Sequence, residues 1–221
     1  MSQLPLDFGH RAALGRADFL VAPCNGEAVA WLDRWPQWPA PALALWGPAG
    51  SGKTHLAHVF AARSGARSID PAALATDRVP ALLGDAAAVI LDEAERTAAE
   101  PLLHLYNLVA ERRGHLLVVA REAPARWSIA LADLRSRLLA CPTVPVAAPD
   151  EALIGALLVK LFADRQIAVG EDVVAYLALH LERSFEATRR AVAALDAAAL
   201  AEHRRITVPL ARRVLDFGAW R

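Results

Sequence analysis

Glycine, lysine and threonine recur at a spacing that suits phosphate binding in GPAGSGKT, residues 47–54. The segment matches the pattern G-x-x-x-x-G-K-S/T and lies between an apolar run and a helical stretch. Its glycines let backbone N–H groups converge on a phosphate, and the N-terminus of the next helix adds a favourable partial charge. Lys53 would reach the β- and γ-phosphates, and the Thr54 hydroxyl would bind Mg²⁺. The predicted nucleotide-binding residues of the loop are Gly47, Pro48, Gly50, Ser51, Gly52, Lys53 and Thr54.

Two adjacent carboxylates end the next long apolar run, VILDE at residues 89–93. Asp92 is placed to bind nucleotide and complete a Mg²⁺ shell with Thr54, and Glu93 to polarise a water molecule that attacks the γ-phosphate. Two alternatives are an ordinary glycine-rich turn in the loop and carboxylates that meet only solvent at a strand exit. We favour a site for ADP or ATP with Mg²⁺, because the loop and the acidic strand end predict each other.

The elements that would position these residues are short apolar strands that alternate with helices. Continuous apolar runs are typical of strands buried on both faces of a parallel sheet. Strands are predicted at 42–46, 87–91 and 115–120, with weaker signals at 66–69 and 143–146. Helices are predicted between them at 54–63 and 101–113. This alternation predicts an α/β fold with a doubly wound parallel sheet of about five strands.

After residue 150 the sequence becomes rich in alanine and leucine and loses its strand signals. Helices are predicted at 150–166, 171–182 and 185–202, and a short link at 206–209 leads into a last helix. We therefore expect three regions in the chain. They are an N-terminal tail at 1–10, a nucleotide-binding α/β subdomain at 11–149 and a small all-helical subdomain at 150–221.

Composition excludes several classes of protein. Lys plus Arg equals Asp plus Glu at 24 each, so no strong overall field attracts nucleic acid or an acidic membrane. Cys24 and Cys141 are far apart in sequence and form no CxxC pair, which argues against a disulfide framework or a zinc site. No apolar run approaches the roughly 18 residues needed to span a bilayer. A cytoplasmic location without membrane association is expected.

Further motifs follow in a fixed order along the chain. ADFLVAPCNGEA at 17–28 precedes the glycine-rich loop, LLHLYNLVAERRGHLLVVAREAP at 102–124 follows VILDE, and DLRSRL stands at 133–138. Together with the helical end, this set resembles the AAA+ ATPases and, within them, the Hda family of proteins related to the initiator DnaA. The resemblance implies an AAA+ P-loop domain with a five-stranded parallel sheet, followed by a helical lid.

The segment DLRSRL corresponds to box VII of this family, which implies that Arg137 is an arginine finger. Such a finger enters the nucleotide site of a neighbouring protein and stabilises charge on the transferring phosphate. Without the resemblance, LRSRL is an amphipathic helix with Arg135 and Arg137 facing water. The sensor 1 segment places Arg121 and Glu122 where relatives carry a Thr-Ser-Asp type turn. We therefore expect weak hydrolysis in the chain's own site, with Glu93 as its candidate base.

The first residues contain a short apolar motif, QLPLDF at 3–8. The resemblance implies a sliding-clamp motif of the form Q-L-x-L-x-L/F, matched by Gln3, Leu4, Leu6 and Phe8. An extended peptide can insert leucine and phenylalanine into an apolar cleft while glutamine forms hydrogen bonds at the rim. Two alternatives remain open: the segment packs on its own domain, or it fills a pocket of a second copy of this chain.

The resemblance implies a negative regulator of chromosome replication initiation. Docked on the DNA-loaded sliding clamp, the chain would present Arg137 to ATP-bound DnaA and leave the ADP form. Its expected partners are DnaA, the β sliding clamp and, as an open alternative, a second copy of itself in a homodimer. We expect association with the nucleoid and replisome but no direct sequence-specific DNA binding. The alternative functions are an autonomous AAA+ ATPase of the helicase-loader type and a non-catalytic initiator-binding adaptor.

Overall fold

The computed structural model describes residues 20–215, which form two compact units. Within that range the first unit comprises residues 20–48 and 53–147, and the second comprises residues 49–52 and 148–215. The predicted tail residues Gln3, Leu4, Leu6 and Phe8 lie outside the described residues. In the described part of the chain, no helix is both long and apolar enough to cross a membrane.

The first unit is built on a five-stranded sheet in which every pair of neighbouring strands is parallel. The strands are β1 (Ala42–Trp46), β2 (Arg67–Ile69), β3 (Ala88–Leu91), β4 (His115–Ala120) and β5 (Thr143–Pro145). Their order across the sheet is β2-β3-β4-β1-β5. This arrangement confirms the predicted α/β class and the parallel five-stranded sheet.

Helices cover both faces of this sheet. They are α1 (Gly26–Asp33), α2 (Lys53–Ser64), α3 (Val79–Leu83), α4 (Ala99–Glu111) and α5 (Ala132–Ala140). Because successive residues of a strand point to opposite faces, Ala42 and Ala44 of β1 join the core beneath α4 and α5. Leu43 and Leu45 join the opposite core with α1 and α2. Burial on both faces explains the continuous apolar sequence of β1.

The predicted boundaries agree closely with the observed elements. Strands β1 and β4 have the predicted bounds, but α4 begins two residues before the predicted Pro101. Pro101 is tolerated there because N–H groups in the first turn of a helix have no partner within the helix. Helices α1 and α3 were not predicted, since both are short and carry weak periodicity.

The second unit is all-helical apart from residues 49–52, as predicted for the C-terminal region. Its helices are α6 (Glu151–Asp164), α7 (Glu171–His180), α8 (Phe185–Glu202) and α9 (Val208–Leu215). Asp150 caps α6 by accepting a 2.8 Å hydrogen bond from the backbone N–H of Leu153. Leu158 and Phe162 of α6 and Leu195 of α8 lie in the common core, so this unit has a hydrophobic centre of its own.

Candidate functional site

The parallel sheet brings the two phosphate-binding motifs to one edge. Strand β1 leads into the glycine-rich loop, and β3 leads into Asp92. Strand β4 lies between them, with Ala120 in register with Trp46 and Val118 in register with Leu91. In open α/β sheets, ligands bind beyond the carboxyl ends of the strands. Residues 47–48 and 53–54 of the loop, Asp92 and the segment after β4 therefore form the candidate nucleotide site of the first unit.

Thr54 and Asp92, the two predicted magnesium ligands, are in direct contact. The Thr54 hydroxyl donates a 2.7 Å hydrogen bond to Oδ2 of Asp92. Oδ1 of Asp92 accepts a 2.8 Å bond from the backbone N–H of Glu93, which fixes the carboxylate. A hydroxyl and a carboxylate are the oxygen ligands that Mg²⁺ prefers, so these residues fit the ion. Among the described residues, no cluster of three or more His, Cys, Asp or Glu could hold a metal ion.

Lys53 lies at the start of α2 and is only 8% exposed. Its Nζ donates a 2.7 Å hydrogen bond to the backbone carbonyl of Pro48. Burial lowers the pKa of Lys53, the charges of Asp92 and Glu95 act in the opposite direction, and the nearby Arg121 lowers the pKa further. A phosphate at the loop would add negative charge and favour the ammonium form.

Glu93, the candidate base, is held by two arginines. Its Oε2 accepts a 2.6 Å bond from Arg96, and its Oε1 accepts a 3.2 Å bond from Arg121. The contact with Arg96 lowers the pKa of Glu93 most, and the contact with Arg121 lowers it further. The backbone of Glu93 is left-handed, with φ of 49°, which a non-glycine residue seldom adopts. The candidate base therefore accepts hydrogen bonds from protein cations at both oxygens.

Arg121 connects the acidic segment after β3 to the end of β4. Besides its contact with Glu93, its backbone N–H donates a 3.1 Å bond to Oε1 of Glu95. The sequence placed Arg121 at the sensor 1 position but gave no reason to pair it with Glu93. The role of Arg96 was missed, although its position three residues after Glu93 in a tight turn was a signal for such a pair.

Residues 49–52 of the loop pack within the second unit, against the start of α8. The carbonyl of Gly50 accepts a 3.1 Å bond from the backbone N–H of Phe185. With φ of +73°, Gly50 has no room for a side chain, because a Cβ would lie 2.3 Å from Oγ of Ser184. At Gly52, φ is +92° and a Cβ would lie 3.2 Å from the Phe185 ring. Packing and positive φ therefore both favour glycine at these two positions.

The box VII helix α5 carries Arg137, the predicted finger. Nε of Arg137 donates a 2.9 Å bond to Oδ1 of Asp133, and the side chain is 37% exposed. Within residues 20–215, no hydrogen bond or ion pair joins Arg137 to the loop, Asp92 or Glu93. Leu134 and Leu138 on the same helix are buried, so α5 is anchored by one face and offers the other to solvent.

Solved structures similar to this chain include replication initiators and a branch migration motor. Domain III of the Thermotoga maritima replication initiation protein DnaA matches with a TM-score of 0.75 and 17% identity, over 90% of this chain and 94% of that one. The replication initiator DnaA bound to AMPPCP and single-stranded DNA matches with a TM-score of 0.66 and 14% identity, over 84% and 66%. The Thermotoga maritima RuvB Holliday junction branch migration motor matches with a TM-score of 0.67 and 16% identity, over 80% and 61%.

The helical unit has a more specific match. Residues 151–215, which span α6 to α9, match the family model of the Hda lid domain. The solved structures establish the fold, and the family model connects the lid to Hda. The resemblance stated from the sequence is confirmed in two respects: the fold is that of DnaA domain III, and residues 151–215 match the Hda lid domain.

Proposed function

We propose that this chain, a DnaA-related regulator by its fold and lid, stimulates hydrolysis of the ATP bound to DnaA while docked on the DNA-loaded sliding clamp. One observation carries the proposal. The candidate base of the chain's own site, Glu93, is bound at both oxygens by arginines, whereas Arg137 is accessible on an anchored helix. This contrast favours a protein that acts on a partner's nucleotide over one that turns over its own.

The chain's own nucleotide, ADP or ATP, has a structural role in this account. Lys53 binds its phosphates, and Thr54 and Asp92 are the residues that would hold Mg²⁺. When bound, Mg²⁺ supplies positive charge to the phosphate oxygens. A ligand that binds only the folded state stabilises that state by mass action. Own hydrolysis stays slow because Glu93 is paired with Arg96 and Arg121 and is not free to polarise water.

Arg137 supplies the chemistry in trans. Its guanidinium donates hydrogen bonds to oxygens of the partner's γ-phosphate, on which negative charge is redistributed as the bond to the leaving group breaks. Arginine fingers of this kind accelerate hydrolysis by about 10³- to 10⁵-fold. The partner retains its own phosphate loop, metal and attacking water. DnaA thereby passes from its ATP form to its ADP form, which makes this chain a negative regulator of initiation.

The sequence of the N-terminal tail supports action at the DNA-loaded sliding clamp. Gln3, Leu4, Leu6 and Phe8 match the clamp-binding pattern. Docking on a clamp that encircles DNA raises the effective concentration of Arg137 near initiator on the same DNA. The balanced charge of the chain gives little reason for direct DNA binding. We place the protein in the cytoplasm, at the nucleoid during replication.

The experiment that tests the proposal mixes ATP-loaded DnaA, DNA-loaded clamp and this chain, and measures ATP loss from DnaA. The parent chain is expected to accelerate this loss, and Arg137→Ala is expected to lower the acceleration at least about a hundredfold. Arg135→Ala is the matched control, because it removes the same charge from an exposed site two residues away on the same helix. Equal stimulation by the parent and by Arg137→Ala contradicts the proposal.

A second candidate function is an autonomous ATPase of the helicase-loader type. It is favoured by the Thr54–Asp92 contact, which gives the chain's own site the oxygen ligands that hydrolysis with Mg²⁺ needs. Phosphate release by the chain alone, with and without single-stranded DNA, separates the two functions. A DNA-stimulated turnover that Lys53→Ala abolishes would favour the autonomous ATPase. An adaptor without catalytic effect would bind DnaA and leave its ATP intact.

A further inference from the structure

We infer that Asp133 and Tyr106 are positioning residues for Arg137, and that they hold its guanidinium with Nη1 and Nη2 open to a phosphate on another protein. The inference rests on the proposed function, because it concerns how the finger is presented to the partner's nucleotide. Neither residue was singled out for a role from the sequence.

The Arg137 guanidinium has two contacts, one on each of two packed helices. Its Nε donates a 2.9 Å hydrogen bond to Oδ1 of Asp133, about one helical turn earlier on α5. Its Cζ lies 5.6 Å from the centre of the Tyr106 ring on α4, within the range of a cation–π interaction. A contact along the helix and a contact across to its neighbour restrict different rotations of the side chain. Together they select a narrow set of rotamers.

Tyr106 is fixed by burial, and the position of Asp133 favours its charged form. Tyr106 is 5% exposed and belongs to the same core cluster as Leu134 and Leu138, which anchor α5. Burial raises the pKa of the Tyr106 phenol, so the ring stays neutral at physiological pH and offers its face to the cation. Asp133 stands in the first turn of α5, where the helix dipole favours a carboxylate. Both contacts of Arg137 are therefore formed in the chain before any partner binds.

The contact with Asp133 uses only the Nε side of the guanidinium. In residues 20–215, neither Nη1 nor Nη2 of Arg137 takes part in a hydrogen bond. These two nitrogens form the planar fork that binds two oxygens of a phosphate at once. The carboxylate thus orients the group without occupying the edge that would meet a γ-phosphate.

Arg135 provides a comparison within the same helix. Its side chain is exposed, and among the described residues that side chain has no hydrogen bond, ion pair or aromatic contact. An arginine side chain without such contacts loses many rotamers when it binds a phosphate, and this loss weakens the interaction. The side chain of Arg137 is already restricted to few rotamers. Its guanidinium therefore loses less conformational entropy when it binds a phosphate.

Each of the two contacts is weak at a partly exposed site, so the expected effects are graded. A helical pair at i and i+4 and a cation–π contact together correspond to about a fivefold change in rate. Loss of Arg137 itself removes the group that stabilises charge and costs far more. The size of the rate loss therefore distinguishes a positioning residue from the residue that contacts the phosphate.

The test is single-turnover hydrolysis of DnaA-bound ATP, with the full-length chain titrated in the presence of DNA-loaded clamp. Asp133→Ala keeps α5 folded, since alanine favours helix, and is expected to lower the maximum rate about twofold with the half-saturating concentration unchanged. Asp133→Glu retains a carboxylate at the same helical spacing and is expected to restore the rate. Tyr106→Leu should lower the rate, and Tyr106→Phe should keep it, because only leucine removes the π face.

Controls separate this inference from the proposed function. Arg135→Ala should match the parent, and Asp133→Ala should have no further effect in a chain that already carries Arg137→Ala. Parental rates for Asp133→Ala and Tyr106→Leu, beside an inactive Arg137→Ala, would overturn the positioning role and leave the trans finger intact. A higher rate for Asp133→Ala would also overturn it, since Asp133 would then restrain the finger. Parental activity of Arg137→Ala would overturn the proposed function and this inference together.

Discussion

Among single residues, the two neighbouring carboxylates after β3 differ in their hydrogen-bond partners. Asp92 accepts hydrogen bonds from Thr54 and from the backbone, and so is oriented toward the phosphate loop. Glu93 is bound by Arg96 and Arg121 instead. A carboxylate that forms two charge-assisted hydrogen bonds is a poorer acceptor for a proton from water, because its pKa is lowered.

Release of Glu93 should therefore increase the chain's own ATP hydrolysis. We expect the double variant Arg96→Ala/Arg121→Ala to hydrolyse ATP about three- to tenfold faster than the parent, since exposed ion pairs of this kind are individually weak. Phosphate release by the chain without DnaA measures the effect. Adding Glu93→Gln to the double variant should abolish the gain. An unchanged rate in the double variant would show that the arginines do not restrain the base.

Cys141 gives a second prediction at this scale. Burial raises the pKa of its thiol to about 11, and the side chain is 5% exposed. Because the thiolate is the reactive form, Cys141 should react with an alkylating agent at pH 8 at least about a hundredfold more slowly in the folded protein than after unfolding. Mass spectrometry of the labelled peptide measures the ratio, with the partly exposed Cys24 as the internal reference. Equal labelling of Cys141 in both states would contradict its burial.

At the scale of elements, the sequence predicted those features that depend on local patterns. Continuous apolar runs located the strands, and segments rich in alanine and leucine located the helices of the second unit. The contact between Gly50 and Ser184 could not be predicted, because it joins segments more than 100 positions apart in the sequence. The left-handed backbone of Glu93 was also unpredictable, since glutamate has no preference for that conformation.

The close approach of Gly50 to Ser184 predicts a stability effect that a second substitution can reduce. Gly50→Ala should lower the free energy of unfolding by about 1–3 kcal/mol, since it adds a Cβ at positive φ and against Oγ of Ser184. Ser184→Gly keeps much of the helix cap and makes room, so the double variant should recover part of the loss. Chemical denaturation measures all three variants. Strictly additive effects would contradict a direct contact between these positions.

At the scale of the whole molecule, the chain has a formal net charge of zero at pH 7 and a sequence pI of about 7.1. A protein with this balance gains little from counterion release on DNA. Under the proposed function, recruitment to DNA would depend on the sliding clamp, and the tail motif would bind it. Gln3, Leu6 and Phe8 would supply the rim hydrogen bond and the two apolar anchors.

This dependence predicts the behaviour of a tail variant. The triple change Gln3→Ala/Leu6→Ala/Phe8→Ala should abolish co-elution with purified sliding clamp on a sizing column, because it removes both anchors and the rim contact. Arg137→Ala should co-elute like the parent, since α5 lies outside the tail. Equal co-elution of the triple variant and the parent would exclude the tail as the clamp-binding segment.

Under the proposed function, Arg137 acts on the nucleotide of DnaA and not on that of its own chain. The most direct measurement loads labelled ATP on DnaA alone, adds the chain and DNA-loaded clamp, and follows labelled ADP in a single turnover. We predict that Arg137→Ala loses at least about a hundredfold of the stimulated rate, whereas Arg135→Ala retains the parental rate. Stimulation by Arg137→Ala equal to that of the parent would exclude Arg137 as the trans-acting finger.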